Sequence, residues 1–206
     1  MTTHAKLGQF DAFGTSGASD PFGADAPGAN EDIEILGPHL RVSGTVNLGR
    51  FPRLSDLVNR SPGYLHLREA RLLQRNGDPT NLTMRELLVN RDEITFVGQR
   101  TGAARSVLEQ QSGRPRDFGA SPVPKLYRRF VVFTPGHIIT GDVYVFDEST
   151  LASFVESADP RFAPMVNVAA RSLADRRVIS HFELLLVNKT QMTAAAEADL
   201  AADVAD

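Results

Sequence analysis

The chain of 206 residues contains no cysteine and no tryptophan, and only three tyrosines. The absence of cysteine excludes disulfides, cysteine-ligated zinc, iron–sulfur clusters and thiol nucleophiles. Aromatic residues make up 7% of the chain, too few for a large aromatic core or base-stacking platform. No segment resembles the apolar core of a signal peptide, and no apolar run reaches transmembrane length. We therefore expect a cytoplasmic protein that does not insert into a membrane.

Common catalytic motifs are missing as well. The sequence has no P-loop, no G-x-G-x-x-G fingerprint and no serine nucleophile elbow. Its five histidines form neither an H-x-H nor an H-E-x-x-H pattern, so no metal site is predicted. We therefore expect a non-catalytic protein without a cofactor, and we assign no catalytic, cofactor-binding or metal-binding residue.

Charge is distributed unevenly along the chain. The net charge is −3, but residues 1–34 carry −5 and residues 193–206 carry −4, which leaves +6 on residues 35–192. Within this middle part, residues 99–129 hold seven cations against two anions. The basic middle and the acidic ends either attract each other or bind separate partners.

The first 31 residues are rich in small and polar residues and show neither helical nor strand periodicity, so we predict a disordered tail. The tail nevertheless carries Phe10, Phe13 and Phe22. Phenylalanines have no internal role in a solvated tail. We expect these three to anchor the tail on a partner, with docking on the chain's own core as the alternative.

The pattern of apolar residues predicts two β-rich modules of the same design, residues 32–98 and 130–192. Residues 99–129 form a basic linker, and residues 193–206 an acidic, alanine-rich tail. Alternating apolar residues predict antiparallel strands, and each module has one short helix with an apolar face. The predicted fold class is α+β and β-dominated, with two tandem homologous β-β-α-β-β modules and mostly antiparallel sheets. The helix residues expected to be buried are Leu54, Leu57, Val58, Leu151, Phe154 and Val155.

The two modules match in register, which predicts an internal duplication. Positions 44, 46, 54, 57 and 58 have counterparts 97 residues later, and the string Leu88–Arg91 has its counterpart 98 residues later. His39 and His137 also match at an offset of 98, which locates a one-residue slip between the histidine and the glycine. An equivalent histidine pair would be able to titrate or bind a metal across a pseudo-twofold axis. The simpler interpretation is that each histidine caps a hairpin turn.

A family resemblance supports the module boundaries. The string GTVNLGRFPRLSDLVNR, with the later LVNRDEI, resembles a group of uncharacterised bacterial small domains. Those domains have a glycine-bearing strand, an RLSDLLN-like helix and a closing strand that ends in VNK. The second module keeps the strands but has Thr150-Leu151-Ala152-Ser153 where the first has Arg53-Leu54-Ser55-Asp56. The resemblance implies a bacterial origin and no particular activity.

These observations favour a non-catalytic adaptor or a structural subunit of a larger bacterial assembly. A protein partner or a second copy of the chain is the expected partner. The first alternative is nucleic-acid binding through the basic linker, where Tyr127-Arg128-Arg129-Phe130 interleaves aromatic and basic residues. The second alternative is the sensing of a small ligand between the modules. The candidate partner-binding residues are Phe10, Phe13, Phe22, Phe118, Arg128 and Arg129.

Overall fold

A computed structural model describes residues 28–74, 77–100, 125–146, 150–174 and 176–198. In this part of the chain ten strands pair antiparallel in a single sheet, so the β-dominated, antiparallel class is confirmed. The first half contains β1 Asn30–Leu36, β2 Arg41–Asn47, α1 Leu54–Arg60, β3 Tyr64–Leu73, β4 Pro79–Asn90 and β5 Phe96–Arg100. The second half contains β6 Lys125–Thr134, β7 His137–Phe146, α2 Leu151–Glu156, β8 Phe162–Ser172, β9 Val178–Asn188 and β10 Ala194–Glu197.

The strand order across the sheet is β10-β6-β7-β8-β9-β5-β1-β2-β3-β4. In each half, the last strand lies beside the first, because a 3-10 turn after the fourth strand (Arg91–Glu93 or Lys189–Gln191) redirects the chain. The two halves meet where β5 pairs with β9, with Phe96 opposite Val187 and Val97 opposite Leu186. We call this pairing the junction.

Buried side chains form two cores, and the junction strands contribute to both. Because side chains alternate along a strand, successive residues of β5 and β9 point to opposite faces of the sheet. Val97 and Leu186 belong to the core of the first half, whereas Phe96 and Val187 belong to the core of the second half. The fully apolar run Leu184–Val187 is the pattern expected for a strand buried on both faces.

Several strands extend beyond the segments assigned from the sequence. Residues 125–129, assigned to the basic linker, form the first half of β6, because the hairpin with β7 continues to Lys125 opposite Phe146. Residues 194–197, assigned to the acidic tail, form β10, paired with residues 130–133 of β6. Alanine and glutamate have low strand propensity, so here the backbone pairing overrides the local sequence.

Each half has a β-bulge on its third strand, opposite a glycine of its second strand. The register shifts beside Gly44, opposite β3, and beside Gly141, opposite β8. Glu69 and Asn167, which lie in the bulges, have positive φ angles of 49° and 54°. A Cβ atom at Gly44 would lie 3.0 Å from the Arg68 carbonyl oxygen, and a Cβ atom at Gly141 would lie 2.7 Å from a methyl group of Val168. Both positions therefore require glycine for close approach of the neighbouring strand.

The burial prediction for the helices is confirmed for two residues of six. Leu54 and Val58 are buried in the first core, but Leu57 is only half-buried. On α2, the predicted residues Leu151, Phe154 and Val155 are also half-buried. The helices are short, 7 and 6 residues, and each lies at the rim of its core, so one side of the apolar face stays in contact with solvent.

The two histidines that match in sequence do not match in the hairpins. His39 lies in the turn before β2, whereas His137 is the first residue of β7 and its ring contacts Phe96 edge-on at 5.4 Å. Gly44 lies opposite Ile33 and Gly141 opposite Phe130, so the offset of 97 holds through the whole hairpin. The one-residue slip predicted between the histidine and the glycine is therefore absent. The change in offset from 97 to 98 after the helix agrees with the sequence match of Tyr64 with Phe162, which begin their strands 98 residues apart.

Polar side chains form hydrogen bonds between the two halves. Arg41 pairs with Glu34 at 2.6 Å, both buried, and its guanidinium also donates to Ser180 Oγ at 2.7 Å in the other half. The amide of Asn59 on α1 pairs with the backbone of Phe162: Nδ2 donates to the carbonyl oxygen, and Oδ1 accepts from the amide nitrogen. Buried polar groups are costly unless they are satisfied in this way.

We predict that Gly44→Val and Gly141→Val each lower the free energy of unfolding by about 2–3 kcal/mol, because a branched side chain overpacks the strand crossing. Thr140→Val, beside Gly141 and half-buried, is a matched control that adds no volume at the bulge. Chemical denaturation of the three variants measures the effect. Equal stability of the glycine variants and the control would contradict this explanation of the bulges.

Candidate functional site

An open groove of about 680 Å³ lies on the second half, lined by Tyr127, Asp142, Val166, Asn167 and Glu183. These residues come from the adjacent strands β6, β7, β8 and β9, so the groove crosses the sheet within one half. Asn167 is the residue with positive φ at the bulge, which Asn tolerates better than most residues. The bulge thus aims a side-chain amide into the groove.

The tight turn between β6 and β7 determines which side chains face each other at this site. Thr134 pairs with His137, and the register then sets Arg129 opposite Asp142 and Tyr127 opposite Tyr144. Arg129 Nε donates to Asp142 Oδ1 at 2.9 Å, and Asn167 Nδ2 donates to Asp142 Oδ2 at 3.0 Å. The hydrogen bond from Arg129 holds the pKa of Asp142 below its usual value of 3.8.

Two tyrosines form an exposed aromatic pair beside the arginines. The rings of Tyr127 and Tyr144 lie 5.0 Å apart, and both side chains are exposed. Arg128 Nε lies 3.8 Å from Glu197 Oε1 on β10. Both arginines named as partner-binding residues from the sequence therefore already face a carboxylate of their own chain.

The structure brings Arg129 to the groove through Asp142 and places Arg128 beside Glu197 instead. The phenylalanines named with them, Phe10, Phe13, Phe22 and Phe118, lie outside the described residues. Sequence reasoning did not single out Asp142, Asn167 or Glu183. A signal for Asp142 was present: the turn at Pro135-Gly136 sets the hairpin register, and that register places Asp142 opposite Arg129.

The groove presents side chains that form hydrogen bonds. The Asp142 carboxylate accepts hydrogen bonds from the Arg129 guanidinium and from the Asn167 amide, and these partners favour its ionised form. Among the described residues, no group of three or more His, Cys, Asp or Glu side chains is arranged to hold a metal ion. In the same part of the chain, no helix is long and apolar enough to cross a membrane.

Comparison with models of protein families, with curated proteins and with solved structures found no match to this chain.

We predict that the Arg129–Asp142 pair contributes on the order of 1 kcal/mol to the free energy of unfolding at neutral pH. A carboxyl whose pKa is lowered by folding stabilises the fold above its unfolded pKa, near 4, and this contribution is lost as the pH falls through the lower folded pKa. The difference in unfolding free energy between the wild type and Asp142→Asn should thus be largest above about pH 4 and shrink in acid. Arg129→Gln should show the same loss, and the double variant no further loss. A difference between wild type and Asp142→Asn that stays constant with pH would contradict the assignment.

Proposed function

We propose that this protein is a non-catalytic adaptor or structural subunit of a larger assembly, and that it consists of two homologous β-β-α-β-β modules, each closed by a further strand. The duplication is supported by the common order of elements, by the bulges at Gly44 and Gly141, and by the positive φ angles at Glu69 and Asn167. A bacterial origin and a cytoplasmic location stay predictions.

The observation that carries the binding role is the exposed apolar and aromatic surface of the β6–β7 hairpin. Tyr127 and Tyr144 are exposed on one face there, on the same side as Arg129, whereas the exposed Leu126 and the neighbouring Arg128 point to the opposite face. Tyrosine and arginine are enriched in protein interfaces because they combine a large contact area with hydrogen-bonding groups. This composition supports a protein partner on this surface.

Nucleic-acid binding is less well supported, because the arginines nearest the tyrosines have acidic neighbours. Arg129 is bound to Asp142 and Arg128 lies beside Glu197. Glu183 adds a further carboxylate to the groove. A phosphate would have to displace or tolerate these anions, which weakens the electrostatic term that dominates nucleic-acid affinity.

We predict that fluorescently labelled single-stranded and duplex oligonucleotides bind weakly or not at all at physiological salt, as measured by anisotropy. Tight binding that falls steeply with salt, and that Arg128→Gln with Arg129→Gln weakens for all sequences alike, would contradict the protein-partner proposal. Arg50→Gln, an exposed arginine in the first half, is the matched control.

The N-terminal segment is the second surface that we expect to bind a partner, through Phe10, Phe13 and Phe22. Deletion should end at residue 27, because Ala29 accepts a hydrogen bond from Leu48 and Asn30 begins β1. We predict that this deletion leaves the melting temperature nearly unchanged and abolishes capture of the partner from the source cells. The full chain with these three phenylalanines changed to serine is the control, because it removes the phenylalanines without removing the segment. A large fall in melting temperature with capture intact would show that the segment is a structural strap.

A further inference from the structure

We infer that a second copy of this chain pairs its β10 with the outer edge of β4, repeating the junction of β9 with β5, so that copies assemble head to tail. This inference rests on the proposed equivalence of the two halves. It deepens the proposed function by naming the chain itself as one partner in the assembly.

The sheet leaves at its edges the counterparts of the two strands that form the junction. β9 is the fourth strand of the second half, and β4 is the fourth strand of the first; β5 and β10 are the corresponding fifth strands. The chain pairs β9 with β5 internally. In the described part of the chain β4 pairs only with β3, and β10 pairs only with β6. Each end of the sheet therefore carries one of the two strands that a second junction of this kind would need.

Two exposed side chains at the β4 end of the sheet, Tyr64 on β3 and Leu88 on β4, have buried counterparts at the junction. Phe162 and Leu186 are the two fully buried residues of the second half in the core of the first half, both 0% exposed, and the partly buried Leu184 packs against the same core. Their counterparts 98 positions earlier are Tyr64 and Leu88, which are 53% and 63% exposed. At the junction, the side chains at these two positions fill the core of the neighbouring half. At the free end of the sheet, the large side chains at the equivalent positions project into solvent. Exposed apolar residues grouped in this way indicate an interaction surface.

An asparagine repeats the pattern. Asn188 is fully buried, its Nδ2 donates to the Ile94 carbonyl oxygen across the junction at 2.7 Å, and its Oδ1 accepts from the amide of Thr190. Asn90, its counterpart, likewise accepts from the amide of Asp92 at 3.0 Å. The register that we infer would bring Asn90 Nδ2 to the carbonyl oxygen of residue 192 in the second copy.

The side chains that would meet across the new contact are compatible in size. At the junction Gly98 lies against the ring of Phe182, and a Cβ atom there would come within 2.3 Å of the ring. The counterparts 98 positions away are Ala196, for Gly98, and Met84, for Phe182. A methyl group replaces a hydrogen on one side, while the other side exchanges a rigid ring for a flexible chain.

The intermolecular contact should be weaker than the junction. Ala194 and Ala195 stand where β5 has Phe96 and Val97, so less apolar surface is buried. The register also sets Glu86 opposite Glu197, an unfavourable pair of like charges. We therefore expect assembly that depends on protein concentration. Because the two surfaces differ, the contact is heterologous and leads to a ring, or to a filament if the rotation does not close.

Complementary edge variants test the inference. Leu88→Arg blocks the β4 edge and Ala196→Arg blocks the β10 edge; both residues are exposed, so the fold should be retained. Leu173→Arg, an exposed leucine in the turn after β8, is the control. Molar mass is measured by sedimentation velocity over a concentration series, with circular dichroism to verify folding. Tyr64→Arg, on β3 opposite Asn90 of β4, is a second variant at this end of the sheet.

We expect the wild type and Leu173→Arg to form species larger than a dimer, and each edge variant alone to be a monomer. An equimolar mixture of Leu88→Arg and Ala196→Arg should form a 1:1 dimer and nothing larger, because only one pair of intact edges remains. A wild type that is monomeric throughout would overturn the inference and would leave the edge to another occupant, while capture of a separate partner would still test the proposed function independently. Assembly that survives one of the two edge variants would also overturn it, because a like-with-like contact needs only one edge.

Discussion

The pairing of β5 with β9 is the interaction on which the rest of the structure depends. Its residues alternate between the two cores, so that Val97 and Leu186 serve one core while Phe96 and Val187 serve the other. Neither core is complete within its own half. Loss of this pairing would expose apolar surface on both sides at once, and burial of each such side chain is worth roughly 1.5–3 kcal/mol.

The same constraint explains where polar groups are found between the halves. The Asn188 side chain, buried at the end of β9, donates to the carbonyl oxygen of Ile94, two residues before β5, and the Asn59 amide takes the place of a neighbouring strand for Phe162. The buried Arg41–Glu34 pair reaches Ser180 in the second half. Hydrogen bonds of this kind specify a register as well as a contact, since a shift by one residue would leave buried donors without acceptors. The hairpin of β6 and β7, with its exposed tyrosines, is separated from the junction by β8.

Local signals in the sequence are sufficient for much of this fold. Alternating apolar residues predict β2, β3 and β7, and glycine within a strand predicts both bulges. The hairpin turn at Pro135-Gly136 is enough to pair Arg129 with Asp142. The strand at 194–197 has no local signal, because Ala-Ala-Ala-Glu has low strand propensity. It forms a strand because its backbone pairs with the edge of β6. The junction is a contact between distant segments, and the apolar run Leu184–Val187 shows that β9 is buried without identifying its neighbour.

Residue-resolved hydrogen exchange of the monomer at low concentration tests the central role of the junction most directly. If both cores depend on the pairing of β5 with β9, the amides of residues 96–99 and 184–187 that bond across it exchange only through global unfolding, and both halves unfold in one cooperative transition. The contrary result is exchange of these amides at a lower free energy than those between β2 and β3 or between β7 and β8, with each half unfolding in its own transition. That outcome would show that the halves are independent domains with a dispensable contact.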